Sequence, residues 1–314
     1  MAKKNVVVIG GGTGLSVLLR GLKQFSVSIS AIVTVADDGG SSGRLRKELD
    51  IPPPGDVRNV LVALAEVEPL IEELFQHRFK NGHGLSGHSL GNLLLAGMTS
   101  ITGDFAKGIT ELSKVLNVRG DVYPAANRSI VLNAEMEDGT IVSGESRIPL
   151  VSKKIKRVFL TPEQIQPLPE CIEAIKRADL IVLGPGSLYT SVLPNLLVPT
   201  IAETIRTSRA KKVYICNAMT QKGETDGYTA ADHVQAIIDH CGTGIVEHVL
   251  LNRSDIPEPL LKRYKEVGSA PVAIDEARLQ QLNVKPIIGE FVIERDSMLR
   301  HDAIKVSKAL LQLL

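Results

Sequence analysis

Two rhythms of apolar residues alternate along the chain. Nearly unbroken apolar runs at 6–9, 29–35, 180–183, 212–216 and 245–251 are rich in Val, Ile and Leu. Such runs read as strands buried on both faces. Between them the spacing changes to the three-to-four-residue period of an amphipathic helix, as at 15–23. Strand and helix in alternation predict an α/β protein built on a doubly wound, mainly parallel sheet. Residues 54–128 form a helical segment in this reading, with periodic stretches opening near Asp56, His88 and Asp104. From 129 to 160 the pattern becomes alternating around Asp138-Gly139, a hairpin signal. That predicts a small antiparallel β insertion. Pro257, Pro259, Pro271 and Pro286 make the C-terminal third less regular, before a final apolar helix at 303–314. No repeat or low-complexity tract interrupts residues 1–314, so one domain is expected.

Composition narrows the partners. Apolar residues make up 44% of the chain, enough for a large core. A formal charge of +1 gives no general attraction to nucleic acid, and aromatic residues, at 4% with no Trp, offer few platforms for stacked bases. Nucleic acid is therefore not an expected partner. Cys171, Cys216 and Cys241 are widely spaced, which predicts no disulfide framework and fits a reducing compartment. No apolar run has the length of a membrane span or a signal peptide core. The expectation is a cytoplasmic protein.

Ligands of open α/β sheets bind beyond the carboxyl ends of the strands. The polar residues that close each run are therefore the candidate site. The first run leads into Gly10-Gly11-Gly12-Thr13-Gly14 and then a helix. Glycines admit a ligand close to backbone N–H groups, and a helix start favours negative charge, so Gly11, Gly12, Thr13 and Gly14 read as a phosphate cradle. It is not a Walker A loop, because no Gly-Lys-Ser/Thr follows, and Leu15 stands where a dinucleotide fingerprint has its third glycine. The second run ends at Asp37-Asp38-Gly39-Gly40-Ser41-Ser42-Gly43-Arg44. Asp37 suits a ribose hydroxyl. Asp37 and Asp38 together suit Mg²⁺, and plain turn chemistry is the alternative. Ser41, Ser42, Gly43 and Arg44 extend the loop as anion contacts, unless the arginine simply faces solvent.

Further helix starts follow. Asp56 is placed to cap a helix behind Pro52-Pro53-Pro54, whereas the cation of Arg58, beside Asn59, is disfavoured in a first turn unless an acidic ligand lies near. The glycine-rich stretch 82–92 brings His88 and Asn92 to another helix start. His88 reads equally as a general acid/base, a phosphate donor or a structural residue. Gly184-Pro185-Gly186-Ser187 repeats the strand–loop–helix form, with Ser187 as cap. Gly184, Gly186 and Ser187 would give a second anion site on the same sheet edge. Asn217 closes a further strand and suits the polar edge of a base or sugar. Tyr264, on an irregular segment, suits stacking on a base or core packing, and Arg300 a phosphate or solvent.

Taken together and in this order, 11–14, 36–44, 54–59, 87–92 and 184–191 closely resemble the bacterial gluconeogenesis factor family. That family is related to 2-phospho-L-lactate transferase. The resemblance spans essentially the whole chain. It implies a Rossmann-like domain that binds UDP-sugars, notably UDP-N-acetylglucosamine, and a role in cell shape and envelope synthesis during growth on gluconeogenic carbon. Candidate partners are then cell-envelope or division proteins, while the oligomeric state stays open, a homo-oligomer included. Tyr264 and Arg300 fall where such relatives hold their ligand. For the transferase relatives it implies Mg²⁺-assisted group transfer from a guanosine diphosphate carrier. Asp37 and Asp38 match that enzyme's acidic pair, while Arg58-Asn59 depart from its acidic pattern.

Three functions are thus carried forward. The first is a UDP-sugar-binding regulator. The second is a Mg²⁺-dependent transferase using a nucleotide-diphosphate donor, with His88 as acid/base. The third, less favoured, is an NAD-binding oxidoreductase, since NAD also presents a diphosphate and could occupy the cleft opportunistically.

Overall fold

A computed structural model describes residues 3–67, 69–151, 153–295 and 297–314. The strands, in chain order, are β1 (Lys4–Gly10), β2 (Val27–Val33), β3 (Asp121–Pro124), β4 (Val131–Met136), β5 (Ile141–Ser143) and β6 (Ile155–Thr161). They continue as β7 (Leu180–Leu183), β8 (Lys211–Ile215), β9 (His248–Asn252), β10 (Lys285–Gly289), β11 (Val292–Arg295) and β12 (Met298–His301). The first helices are α1 (Gly12–Leu22), α2 (Gly40–Leu49), α3 (Gly55–Leu64), α4 (Pro69–Gln76), α5 (Leu90–Thr102) and α6 (Phe105–Val115). The rest are α7 (Pro169–Arg177), α8 (Leu193–Leu196), α9 (Ile201–Thr207), α10 (Ala230–Cys241), α11 (Glu258–Glu266), α12 (Glu276–Gln281) and α13 (Ala303–Leu311).

Seven strands make a wholly parallel sheet in the order β10-β9-β8-β7-β1-β2-β3. The chain fills the sheet outward from β1 in one direction through β2 and β3, then returns to lay down β7 to β10 on the other side. The strand order therefore reverses between β1 and β7, and a crevice opens at such a reversal. Val6, Val7, Val8 and Ile9 of β1 are all at most 1% exposed, as strands covered by helices on both faces require. Truncating Ile9 to alanine there would cost about 2–5 kcal/mol.

Four helix starts carry side-chain caps. Ser89 accepts from Asn92 N–H, Asp104 from Lys107 N–H, and Asp302 from Ile304 and Lys305 N–H. Thr229 and Asp232 form a reciprocal capping box on α10. An antiparallel sheet of order β5-β4-β6 lies within residues 131–161.

The structure departs from the sequence expectations in several places. The second strand is Val27–Val33 rather than 29–35; Thr34 N–H makes the last bond to β1, at Gly10 C=O, and the chain then runs without regular structure to α2. The segment 54–128 is helical up to Val115 and then gives the edge strand β3. The C-terminal third is more regular than its prolines suggested. It supplies β10 and the antiparallel hairpin β11–β12. Pro286 is tolerated because β10 is an edge strand. No described helix is long and apolar enough to cross a membrane. The three cysteines are buried and free.

Candidate functional site

A cavity of about 470 Å³ lies at the β1/β7 reversal. The loops after β1, β7 and β8 form its floor, and α11 and the β11–β12 hairpin form its far wall. Of the residues singled out from sequence, Gly11, Gly12, Thr13, Gly14, Gly186, Ser187, Asn217, Tyr264 and Arg300 line it. Its volume is in the range of small-molecule sites.

The first glycine loop is shaped by what presses against it. A Cβ on Gly11 would stand 2.5 Å from Thr34 Cγ2 and 2.6 Å from Asp56 Oδ2, so no larger residue fits. Gly12 adopts φ +67°, the left-handed region that favours glycine. Its N–H donates to the Asp56 carboxylate. Asp56 is thus no cap for its own helix. It sits in the first turn of α3 behind Pro54, which occupies the N-cap position without a side-chain bond. Burial pushes the Asp56 carboxyl up to about 6; the Gly12 N–H opposes this, Asp37 adds to it and Arg58 opposes it. The first turn of α1 contains no acidic residue of its own, which leaves its positive end facing the cavity.

The second loop has a different fate. Ser187 makes no capping bond; its hydroxyl accepts from Gln221 Nε2 at 2.9 Å instead. The donors at this helix start go to Glu224. Thr190 Oγ1 donates to Glu224 Oε1 at 3.1 Å, and the Tyr189 and Thr190 N–H groups donate to the same carboxylate. Glu224 is 7% exposed, and burial pushes its carboxyl up to about 7 against the effect of these donors. The donors at the start of the 188–192 turn are therefore taken by the chain's own carboxyl, whereas at the first loop Asp56 takes the Gly12 N–H and Gly11 to Gly14 line the cavity. Gly184 does not line the cavity.

The segment 37–44 supports the crevice from behind rather than lining it. Asp37 Oδ1 accepts from Gly39 N–H at 2.8 Å, and Asp38 Oδ1 accepts from Ser146 N–H at 2.9 Å. The two carboxylates are thus held by different backbone partners. Ser41, Ser42 and Gly43 lie in the first turn of α2, buried. Ser41 Oγ lies 2.8 Å from His88 Nδ1 and accepts from Asn92 Nδ2 at 3.1 Å. Arg44 Nη2 donates to Ser86 C=O at 2.6 Å. His88 and Asn92 are buried in this network outside the cavity, and burial, with help from Arg44, lowers the His88 pKa. His88 is therefore a packed, neutral imidazole with no access to the cavity. Arg58 is also buried, donating to Gln76 Oε1 and Asn59 Oδ1.

The far wall holds the C-terminal candidates. Tyr264 stands on helix α11, not on an irregular segment, and its hydroxyl accepts from Leu299 N–H at 3.0 Å. Arg300, on β12, brings Nη1 to 3.5 Å from Thr13 Oγ1. Asn217 Nδ2 donates to Gln221 Oε1, which leaves the buried Asn217 Oδ1 without a partner. His301 and Glu145 line the cavity and were not read as site residues from the sequence. His301 is a buried imidazole whose pKa burial lowers to about 4, and its Nε2 has no partner. Glu145 follows β5, and its carboxyl lies well above the usual range through burial and then the charges of Asp56, Asp37, Asp38 and Glu224. Gln221 anchors both Ser187 and Asn217. Only the Arg300-His301-Asp302 triplet ahead of a helix hinted at His301; nothing in the local sequence marks Glu145.

Parallel order, double winding and a crevice at the reversal define a Rossmann-like α/β protein. The sequence profile of 2-phospho-L-lactate transferase CofD matches residues 6–292. The Gluconeogenesis factor of Halalkalibacterium halodurans is 71% identical over 99% of this chain and 97% of its own. The Gluconeogenesis factor of Bacillus subtilis is 61% identical over 99% of this chain and 98% of its own. The crystal structure of a UPF0052 family member from Bacillus halodurans superposes with a TM-score of 0.97 at 71% identity, covering 98% of this chain and 100% of that one. The chain belongs to the CofD family, among its gluconeogenesis factor members.

Proposed function

We propose that the crevice binds a nucleoside diphosphate sugar, with UDP-N-acetylglucosamine the preferred ligand, and that the protein reports its level. In this reading the bound state acts on cell shape and envelope synthesis during growth on gluconeogenic carbon, through an envelope or division protein. The observation that carries the reading is the facing pair Thr13 and Arg300 at the cavity end of α1. A helix start with no acid of its own and an arginine opposite is a place for a diphosphate. The half-buried Tyr264 ring lies further along the same wall, where a base can stack, and Asn217 Oδ1 offers an acceptor to a base or sugar N–H or O–H. Isothermal calorimetry with UDP-N-acetylglucosamine tests the reading. Saturable binding is expected, and no heat at about 1 mM ligand would overturn it.

A second reading, group transfer aided by Mg²⁺, is favoured by one observation. Asp56 and Glu145 are buried carboxyls held up in pKa partly by the charge of Asp37. A hard cation would relieve that repulsion. The described residues contain no group of three metal-ligating side chains, and Asp38 is turned onto Ser146. An ion here would be held by Glu145, which lines the cavity, with Asp37 behind it, and completed by ligand phosphates. Such an ion would neutralise a leaving diphosphate. The test is turnover: intact nucleotide donors after long incubation with Mg²⁺ would eliminate this reading for those donors.

A further inference from the structure

Beyond Arg300 the crevice continues into a second cavity of about 600 Å³, between α1, α3, α4 and the β11–β12 hairpin. Thr13 and Arg300 line both cavities, so they stand at the junction. Two features mark the second cavity as built for a polar guest.

The first is Ser16, which lines the cavity from α1. It is 4% exposed, and its hydroxyl has no hydrogen-bond partner among the described residues. A buried helical serine ordinarily turns back onto a carbonyl of the preceding turn. Leaving a buried hydroxyl unpaired costs stability. A partner from outside the chain would remove that penalty.

The second is the way Arg58 sets two amides. Its Nη2 donates to Asn59 Oδ1 at 2.7 Å and its Nη1 to Gln76 Oε1 at 3.2 Å. A guanidinium only donates, so both amides must present oxygen to it. Their NH₂ groups are thereby kept as donors, and both residues line the second cavity. This also accounts for a cation in the first turn of α3. Arg58 is a positioning residue that fixes two donors rather than an anion contact. The Arg20–Glu72 ion pair, at 2.9 Å, lines the same cavity and adds acceptor and donor together. Fixed donors, an unpaired hydroxyl and a carboxylate suit the many hydroxyls of a sugar ring. The carboxylate of Glu72 disfavours a second phosphate.

We propose that this second cavity is the glycosyl subsite. The diphosphate sits at the Thr13–Arg300 junction, the nucleoside occupies the first cavity, and the sugar makes hydrogen bonds to Ser16, Asn59 and Gln76. The assignment rests on the nucleoside diphosphate sugar reading given above and adds where the sugar is read.

The experiment compares UDP with UDP-N-acetylglucosamine by calorimetry on wild type, Ser16→Ala and Ile293→Trp. Ser16→Ala removes a hydroxyl that has no partner to lose, so the fold keeps its stability. Ile293 lines the cavity and is 43% exposed, so a tryptophan there fills the space without entering the core. Wild type is expected to prefer the sugar nucleotide by about tenfold or more. Both variants are expected to bind UDP within about twofold of wild type while the preference shrinks to about threefold or less. Variants that keep the full preference, or a wild type that binds both ligands equally, would overturn the subsite and leave nucleotide binding standing. A wild type that binds neither ligand overturns the nucleotide reading itself, and this assignment with it.

Discussion

Thr190 Oγ1 donates to Glu224 Oε1 at 3.1 Å, and the backbone N–H groups of Tyr189 and Thr190 turn to the same carboxylate. Two glycine-rich loops that look alike in sequence are thereby made unlike. At the loop after β1 the Asp56 carboxylate takes one N–H, that of Gly12, and the loop still lines the cavity, whereas at the loop after β7 the Glu224 carboxyl takes the helix-start donors. Glu224→Ala should lose about 1–3 kcal/mol of unfolding free energy, since it strands these donors. Glu224→Gln should lose less, because its amide oxygen still accepts from Thr190. Urea unfolding of the three proteins checks the order.

Glu224 also gives a pH signature. Its carboxyl is raised from 4.5 to about 7 in the folded protein by burial. The folded state therefore holds a proton that the unfolded chain releases. The stabilisation from that proton is complete below the unfolded pKa and is lost as pH rises through the folded one. Glutamine cannot titrate. The stability of wild type minus that of Glu224→Gln should fall between pH 4.5 and about 7 and then level off. Taking the difference cancels the buried histidines, whose lowered pKa values act in the opposite sense. A difference that stays flat across this window would contradict the assignment.

Ser41 is expected to matter for stability and not for ligand. Its hydroxyl joins His88 and Asn92 behind the crevice and does not line it. Ser41→Ala should cost about 1–3 kcal/mol by thermal or urea unfolding. Its affinity for UDP-N-acetylglucosamine should stay within about twofold of wild type. A tenfold loss of affinity at unchanged stability would return Ser41 to the binding site.

Arg300 should do the reverse. Its neighbours are Thr13 and Met298, and it is solvent-accessible. Arg300→Ala should weaken UDP and UDP-N-acetylglucosamine alike, by about 10- to 100-fold, with little change in unfolding. The salt dependence of binding should shrink with it. Equal affinity in variant and wild type would move the diphosphate away from the junction.

The sheet was legible because its strands are buried on both faces, so β1 and β7 show as unbroken apolar runs. The helix start at Asp104 was legible and its side chain caps, whereas Asp56 and Ser187, read as caps by the same rule, turn to Gly12 and Gln221 instead. The edge strands β3 and β10 were not, since β3 is only four residues and β10 contains Pro286. The crevice was half legible. The glycine run at 11 and 12 was legible as a tight turn after a strand, although what crowds Gly11 is Thr34 and Asp56, distant in sequence. Ser41, Arg44 and Arg58 were read as ligand contacts because their chemistry suits anions. Their partners His88, Ser86 and Gln76 lie 18 to 47 residues away in sequence, and only the fold reveals them. Glu145 and Glu224 were missed for the same reason: each meets the crevice from a connection whose local pattern shows nothing but turn.

A crystal structure of the protein with UDP-N-acetylglucosamine tests the central claim most directly. The account places the diphosphate between the first turn of α1 and Arg300, the base beside Tyr264 and the sugar against Ser16. Density for the diphosphate at the Tyr189–Thr190 helix start with Glu224 displaced, or anywhere outside the β1/β7 crevice, would contradict it.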